Sequence, residues 1–261
     1  MILQTNNLTL EYPGKLLCRN LSFTVYPGEC WAILGQNGCG KSTLLHALAG
    51  LNRGCEGDGA SIMVSGKAPR AWARRDLARY LGVLLQEETG DFWSNVYEYV
   101  LLGRHPHSGS LFGFRPLDHE MTTQAIERME LAALAARPLV TLSGGERQRA
   151  RIALLLAQSP QCLLLDEPLQ YLDLRHQVGT MALFRELATR GKAVVMVLHD
   201  LGWASHFCDH VLMLFDDGRT IAGPVAAVLN RDNLEALYQC RINELQVGSG
   251  RHFMPDVTSS V

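Results

Sequence analysis

The chain has 261 residues, with 24 Lys and Arg against 26 Asp and Glu, a formal charge of -2, and 47% hydrophobic residues. Charge alone therefore gives no footprint for nucleic acid, and the apolar runs at 152–157, 162–165 and 193–198 fall short of the ~18–20 residues that a bilayer span requires. The length suits one large α/β domain, alone or with a subdomain. The start Met1-Ile2-Leu3-Gln4-Thr5 has neither the basic nor the apolar region of a secretory signal, so the chain is expected in the cytosol. Seven scattered cysteines without a C-x-x-C pair read as reduced thiols. His105 with His107, and His206 with Cys208 and His210, are the metal-like groupings. His206 and His210 would share a face only if the segment were helical, and surface or capping histidines are the simpler reading.

Alternating apolar residues at 8–10 and 21–25, separated by Pro13-Gly14, predict a pair of strands. The run 30–34 predicts a buried strand, and Leu44, Leu45 and Leu48 give 41–50 helical spacing. Further buried strands are predicted at 81–85, 162–165 and 193–198 with helical patterns between them, the signature of a parallel sheet built from βα units. From 87 to about 159 the pattern is helical at 96–102, 118–134 and 145–158, joined by a Gly/Pro/Ser-rich stretch, which predicts an inserted helical subdomain. Asp216-Asp217-Gly218-Arg219 predicts a hairpin turn, and 231–238 a final helix.

Between the strand at 30–34 and the helix that follows stands Gly35-Gln36-Asn37-Gly38-Cys39-Gly40-Lys41-Ser42, the pattern G-x-x-x-x-G-K-[ST] in the context it needs. Its glycines let backbone N–H groups close around a β-phosphate at a helix N-terminus, Lys41 reaches the β- and γ-phosphates, and Ser42 can ligate Mg²⁺. Nucleotide binding is the expectation. Cys39, inside the loop, is either open to alkylation or a small filler. The strand 162–165 runs into Asp166-Glu167, placing two carboxylates at the carboxyl edge where parallel sheets bind ligands. Asp166 suits a water-mediated Mg²⁺ contact, and Glu167 suits the general base that polarises attacking water. His199, just past 193–198, suits a γ-phosphate or water contact as well as it suits an ordinary core or capping histidine.

The segment Leu142-Ser143-Gly144-Gly145-Glu146-Arg147-Gln148-Arg149 resembles the signature of ATP-binding cassette (ABC) ATPases, and physically it is a second helix start suited to anions. The resemblance implies a P-loop NTPase (RecA-like) core of ABC type, with an antiparallel β subdomain and an inserted α-helical subdomain. A single cassette, 1–261, is expected: 1–86 and 160–261 form the core with its β subdomain, and 87–159 the helical subdomain. It further implies ATP and Mg²⁺ as ligands, with Tyr12 stacking on adenine and Thr43 beside Ser42 in the nucleotide site. Gln86 would sense the Mg²⁺ and the water, and His199 would be the switch histidine. Ser143, Gly144 and Gly145 would contact the nucleotide of a second copy, with Asp173 in the loop between copies, so a head-to-tail homodimer is expected. Tyr171 departs from many members of the family, which have a small or polar residue there.

The stretch 101–107, with 172–177, is similar to ATPases of importers for iron chelates, haem and vitamin B12. That similarity implies transmembrane permease subunits, a periplasmic substrate-binding protein, no nucleic acid, and a peripheral place on the cytoplasmic face of the inner membrane. The groove beside Gln86 and the segment 91–104 would receive the permease, with Phe92 and Trp93 as anchors or as filling of the subdomain core. The rival readings are an ABC importer ATPase for another substrate and a soluble ABC ATPase of iron–sulfur cluster assembly. A DNA-repair relative is excluded because no heptad run separates the phosphate loop from the signature.

Overall fold

The computed structural model describes residues 1–12, 14–51, 61–86, 94–108, 113–247 and 250–256; Pro13, Cys55, Phe92 and Trp93 lie outside them. Strands β1 (Leu3–Tyr12), β2 (Lys15–Val25) and β3 (Cys30–Gly35) lead into helix α1 (Lys41–Leu48). Then come β4 (Ser61–Val64), α2 (Arg74–Tyr80) and β5 (Leu81–Leu84). Helices α3 (Val96–Leu101), α4 (Pro116–Arg128) and α5 (Gly144–Gln158) follow one another. The alternation then returns with β6 (Cys162–Asp166), α6 (Leu174–Thr189), β7 (Ala193–Val197), α7 (Leu201–Phe207), β8 (His210–Leu214) and β9 (Thr220–Pro224). Last are α8 (Val225–Val228), α9 (Arg231–Tyr238) and the hairpin of β10 (Ile242–Val247) with β11 (Gly250–Pro255).

The main sheet has six strands in the order β5-β6-β7-β3-β8-β9, and β2-β1-β4 form a smaller one. Five strands of the main sheet are parallel, while β9 turns back antiparallel onto β8 around the predicted turn. The small sheet is antiparallel. The central strands are apolar on both faces because both faces are covered. Cys30, Ala32, Leu34, Leu163, Leu165, Val194 and Met196 pack in one cluster with residues of α3 to α9. Trp31, Ile33, Leu164, Val195 and Val197 pack in the other with α1 and the small sheet.

Register aligns the strand ends. Leu84 pairs with Leu165, Leu165 with Met196, and Met196 with Ala32, so one row crosses β5, β6, β7 and β3. Two residues past that row lie Gln86 and Glu167; three residues past it lie Gly35 and His199. The predicted carboxyl-edge constellation is therefore a consequence of strand pairing.

Among the described residues of 87–159 the regular elements are all helical. Gly103 does more than end α3, because a Cβ there would lie 2.2 Å from the Leu154 carbonyl oxygen; the backbone is pressed onto α5. Next to it Arg104 is buried: Nε donates to Asp118 Oδ1 at 3.0 Å and Nη1 to the Ala157 carbonyl at 2.7 Å, so one guanidinium joins α4 to α5. The other carboxylate oxygen of Asp118 accepts the Arg115 N–H at 2.9 Å. Arg104→Met leaves that buried carboxylate with only the exposed Arg115 guanidinium, 3.5 Å from Oδ2, and is expected to cost about 3 kcal/mol, the low end for breaking a buried pair. Urea denaturation followed by circular dichroism checks it.

The tentative histidine grouping does not form. α7 ends at Phe207 and His210 opens β8, so His206 and His210 do not share a helical face. The His210 ring stacks on Trp31 at 4.6 Å, and the His206 ring lies 4.7 Å from that of His252. His107 Nε2 donates to the Gln158 carbonyl at 2.8 Å. Among the described residues no group of three or more His, Cys, Asp or Glu is placed to hold a metal. The six described cysteines are free thiols. No helix of the described residues is long and apolar enough to cross a membrane.

Candidate functional site

The phosphate loop leaves β3 at Gly35 and enters α1 at Lys41. Gly40 caps the helix with φ 102, and a Cβ there would meet Leu17 at 2.9 Å, so this position needs glycine twice over. Asn37 and Gly38 are exposed at the loop tip, while Ser42 and Thr43 are half-buried in the first turn of α1. Lys41 is 6% exposed, and its Nζ donates to the carbonyls of Gly35 at 2.9 Å and Gln36 at 2.8 Å. The ammonium is thus stored against its own loop, a short swing from any phosphate the loop accepts. Cys39 faces the other way. It is 1% exposed in the apolar cluster under the loop, and burial raises its thiol pKa, so the alkylation reading is corrected to a filler. Only its backbone can meet a phosphate.

Two ties to the loop were not foreseen. Gln36 Nε2 donates to the Leu237 carbonyl of α9 at 2.9 Å. Lys15 Nζ donates to the Gly38 carbonyl at 3.1 Å and pairs with Asp216. Lys15 is also the cross-strand partner of Tyr12, which is 64% exposed, so the aromatic ring stands at the lip of the loop.

Asp166 ends β6 at 1% exposure, and neither carboxylate oxygen has a hydrogen bond of ordinary geometry. Burial pushes its pKa up; the nearby Ser42 hydroxyl opposes the shift, and the neighbouring Glu167 charge adds to it. A buried carboxylate with two open oxygens beside a serine hydroxyl and a phosphate loop fits a hard cation with oxygen ligands, as Mg²⁺ is. Glu167 adopts a left-handed backbone, φ 48. Its Oε1 accepts Gln86 Nε2 at 3.0 Å and His199 Nε2 at 2.7 Å. His199 is exposed rather than a core histidine, and its ring bonds a carboxylate of the same edge. Gln86 directs its amide nitrogen to Glu167, which leaves its carbonyl oxygen as the end able to meet a cation.

At the signature, Ser143 caps α5. Its Oγ accepts the Glu146 N–H at 3.3 Å while Glu146 Oε2 accepts the Ser143 N–H at 2.8 Å. The Ser143 N–H and the Ser143 hydroxyl together hold the Glu146 carboxyl below its usual range. Ser143 and Gly144 remain exposed. A Cβ on Gly145 would lie 2.8 Å from the Tyr171 carbonyl, and one on Gly144 would touch the Tyr171 ring at 3.4 Å. Tyr171 itself has φ 64 and is 66% exposed, an uncommon backbone for a bulky residue. Asp173 caps α6, its Oδ1 accepting the His176 N–H at 2.8 Å. Sequence reasoning did not single out Gln148 and Arg151 of α5, which are buried and bonded to the backbone beside Gln86 and Glu167.

The chain is similar to known proteins along most of its length. The profile of the ABC transporter family matches residues 18–170. The chain is 41% identical to the hemin import ATP-binding protein of Gloeobacter violaceus over 90% of this chain and 86% of that one. It is 35% identical to the ferric enterobactin transport ATP-binding protein of Escherichia coli, over 92% and 88% of the two chains. Among solved structures, an inward-facing ABC transporter described as of metal-chelate type superposes with a TM-score of 0.82 at 29% identity, covering 98% of each chain.

Proposed function

The chain belongs to the ABC transporter family, and from that premise we propose that it is the ATP-hydrolysing subunit of an importer for a metal chelate: hemin, a ferric siderophore or cobalamin. The observation that carries the reading is Glu167 held by Gln86 and His199 at the edge where the phosphate loop opens. The relatives support the importer reading over iron–sulfur cluster assembly, since they are import and transport ATP-binding proteins.

Backbone N–H groups of 36–43 take the β-phosphate, and Lys41 exchanges its two carbonyl partners for the β- and γ-phosphate oxygens. Tyr12 stacks on the adenine. Ser42 and Asp166, with the Gln86 carbonyl, are the residues to hold Mg²⁺, which when bound supplies positive charge against the phosphates. Glu167 accepts the proton of the attacking water. Its Oε1 is fixed by two donors, so Oε2 is the oxygen turned to that task; the water oxygen bonds the γ-phosphorus as the bond to the bridging oxygen breaks, and ADP and phosphate leave.

The exposed Ser143 and Gly144, with Asp173, are assigned to the nucleotide of a second copy in a head-to-tail dimer. Tyr171 against Gly144, with Leu174 and Val178 of the following helix, supports this, because all three are exposed apolar side chains, 66%, 71% and 48% accessible. Separate permease subunits and a periplasmic binding protein complete the importer, which holds the cassette peripherally on the cytoplasmic face of the membrane. The domain division proposed is a core of 1–86 and 160–261 around a helical subdomain of 87–159.

Affinity purification of the tagged chain from its own membranes tests the proposal. The expected result is a polytopic permease that comes down with it, and a companion binding protein that takes a metal chelate. A soluble iron–sulfur scaffold, or a binding protein selective for a sugar or amino acid, overturns it.

A further inference from the structure

Two buried side chains of α5 reach back into the catalytic edge. Gln148 is 3% exposed and Arg151 8% exposed, and a spacing of three places them on one face of the helix. Gln148 Nε2 donates to the carbonyl of Pro168 at 3.0 Å, the residue after Glu167. Arg151 Nη1 donates to Gln148 Oε1 at 3.0 Å and to the Gln86 carbonyl at 3.4 Å, while Nη2 donates to the Leu85 carbonyl. The three carbonyls held belong to two segments far apart in the chain, one carrying Gln86 and the other Glu167. Those segments meet again through the Gln86–Glu167 bond at 3.0 Å.

We propose that Gln148 and Arg151 are positioning residues that tie the water-orienting amide and the general base to the signature helix, so that a movement of α5 assembles or disperses both together. A guanidinium fork fixes direction as well as distance. A displacement of about 1 Å at a reacting group suffices for a loss near 10²-fold. Because α5 begins at the signature glycines, the clamp lets contact at Gly144 and Gly145 register at Glu167 within the same chain. A pair that merely satisfied buried carbonyls would set stability and leave the chemical step alone. The inference rests on the reading of Glu167 as the base.

The experiment uses the purified full chain with Mg²⁺ and ATP. Gln148→Glu keeps the shape and the acceptor for Arg151 but removes the donor to Pro168; Arg151→Lys keeps the charge but removes the fork. Both are expected to lower kcat at least tenfold with KM for ATP within twofold, whatever melting loss the unpaired carbonyls and the buried charge at 148 bring. Turnover within twofold of the parent in both overturns the clamp, as does a kcat loss matched by weakened ATP binding and a lower melting temperature. Should Arg151→Lys not fold, Gln148→Glu decides alone. Glu167→Gln runs alongside: if it still turns over, the reading of the base fails and the clamp with it, whereas its loss combined with active clamp variants sinks the clamp only.

Discussion

Glu167→Gln is expected to cut steady-state ATP turnover by about 10²–10⁴-fold, the usual worth of a positioned general base, while ATP binding stays intact. The substitution is close to isosteric where it matters. The new amide oxygen still accepts from Gln86 Nε2 and His199 Nε2, which sit 3.0 and 2.7 Å from Oε1 in the parent. The left-handed backbone at 167, φ 48, is no harder for glutamine than for glutamate. Only the capacity to take a proton is removed, so the loss belongs to kcat. A variant that binds but does not hydrolyse holds both nucleotides, and the head-to-tail pair is expected to persist: light scattering should read a dimer with ATP and Mg²⁺ and a monomer without. Undiminished turnover rules out Glu167 as the base. A loss of ATP affinity equal to the loss of rate assigns the residue to ground-state binding instead.

What the sequence made legible were features written in contiguous residues. The phosphate loop, the Asp166-Glu167 pair and the signature are each a short run after a strand or before a helix, so local pattern alone places them. The apolar stretches at β3, β6 and β7 read cleanly because strands covered on both faces are apolar along their length, with Asp166 polar only at the very end of β6. Contacts between remote segments were not legible. Gln36 meets Leu237 and Lys15 meets Asp216 across 201 positions each, and no local pattern encodes such a pairing. Arg151 follows Glu146, Arg147 and Arg149 in the same helix with nothing local to set it apart, and its burial comes from how α5 lies against the loops after β5 and β6. The β10–β11 hairpin escaped for another reason. Among its described side chains only Ile242 and Phe253 are buried, too few to produce an alternation against polar neighbours. The helical face imagined for His206 and His210 failed because α7 stops at Phe207, where the chain straightens into β8.

Asp166→Asn should separate function from stability in opposite directions. The carboxylate is 1% exposed with two oxygens lacking hydrogen bonds of ordinary geometry, and burial raises its pKa above the ordinary 3.8. Above that ordinary value and up to the raised one, the folded protein holds a proton that the unfolded chain releases. Stability therefore falls as pH rises through that window, and the penalty is present in full above it. A neutral amide is cheaper to bury than an ionised carboxylate. The nucleotide-free variant is expected to melt higher than the parent at neutral pH, by about 2–4 °C for each kcal/mol relieved, with the gap closing on acidification below about pH 4. Turnover is expected to drop by about 10²-fold or more, because the negative charge and one of the two open oxygens that fit Mg²⁺ are lost. Scanning calorimetry across pH, paired with ATPase assays over a range of Mg²⁺, reads both effects. A variant that melts lower than the parent at neutral pH would show that Asp166 is held by partners worth more than its desolvation costs, and it would then be a structural acid at a strand end.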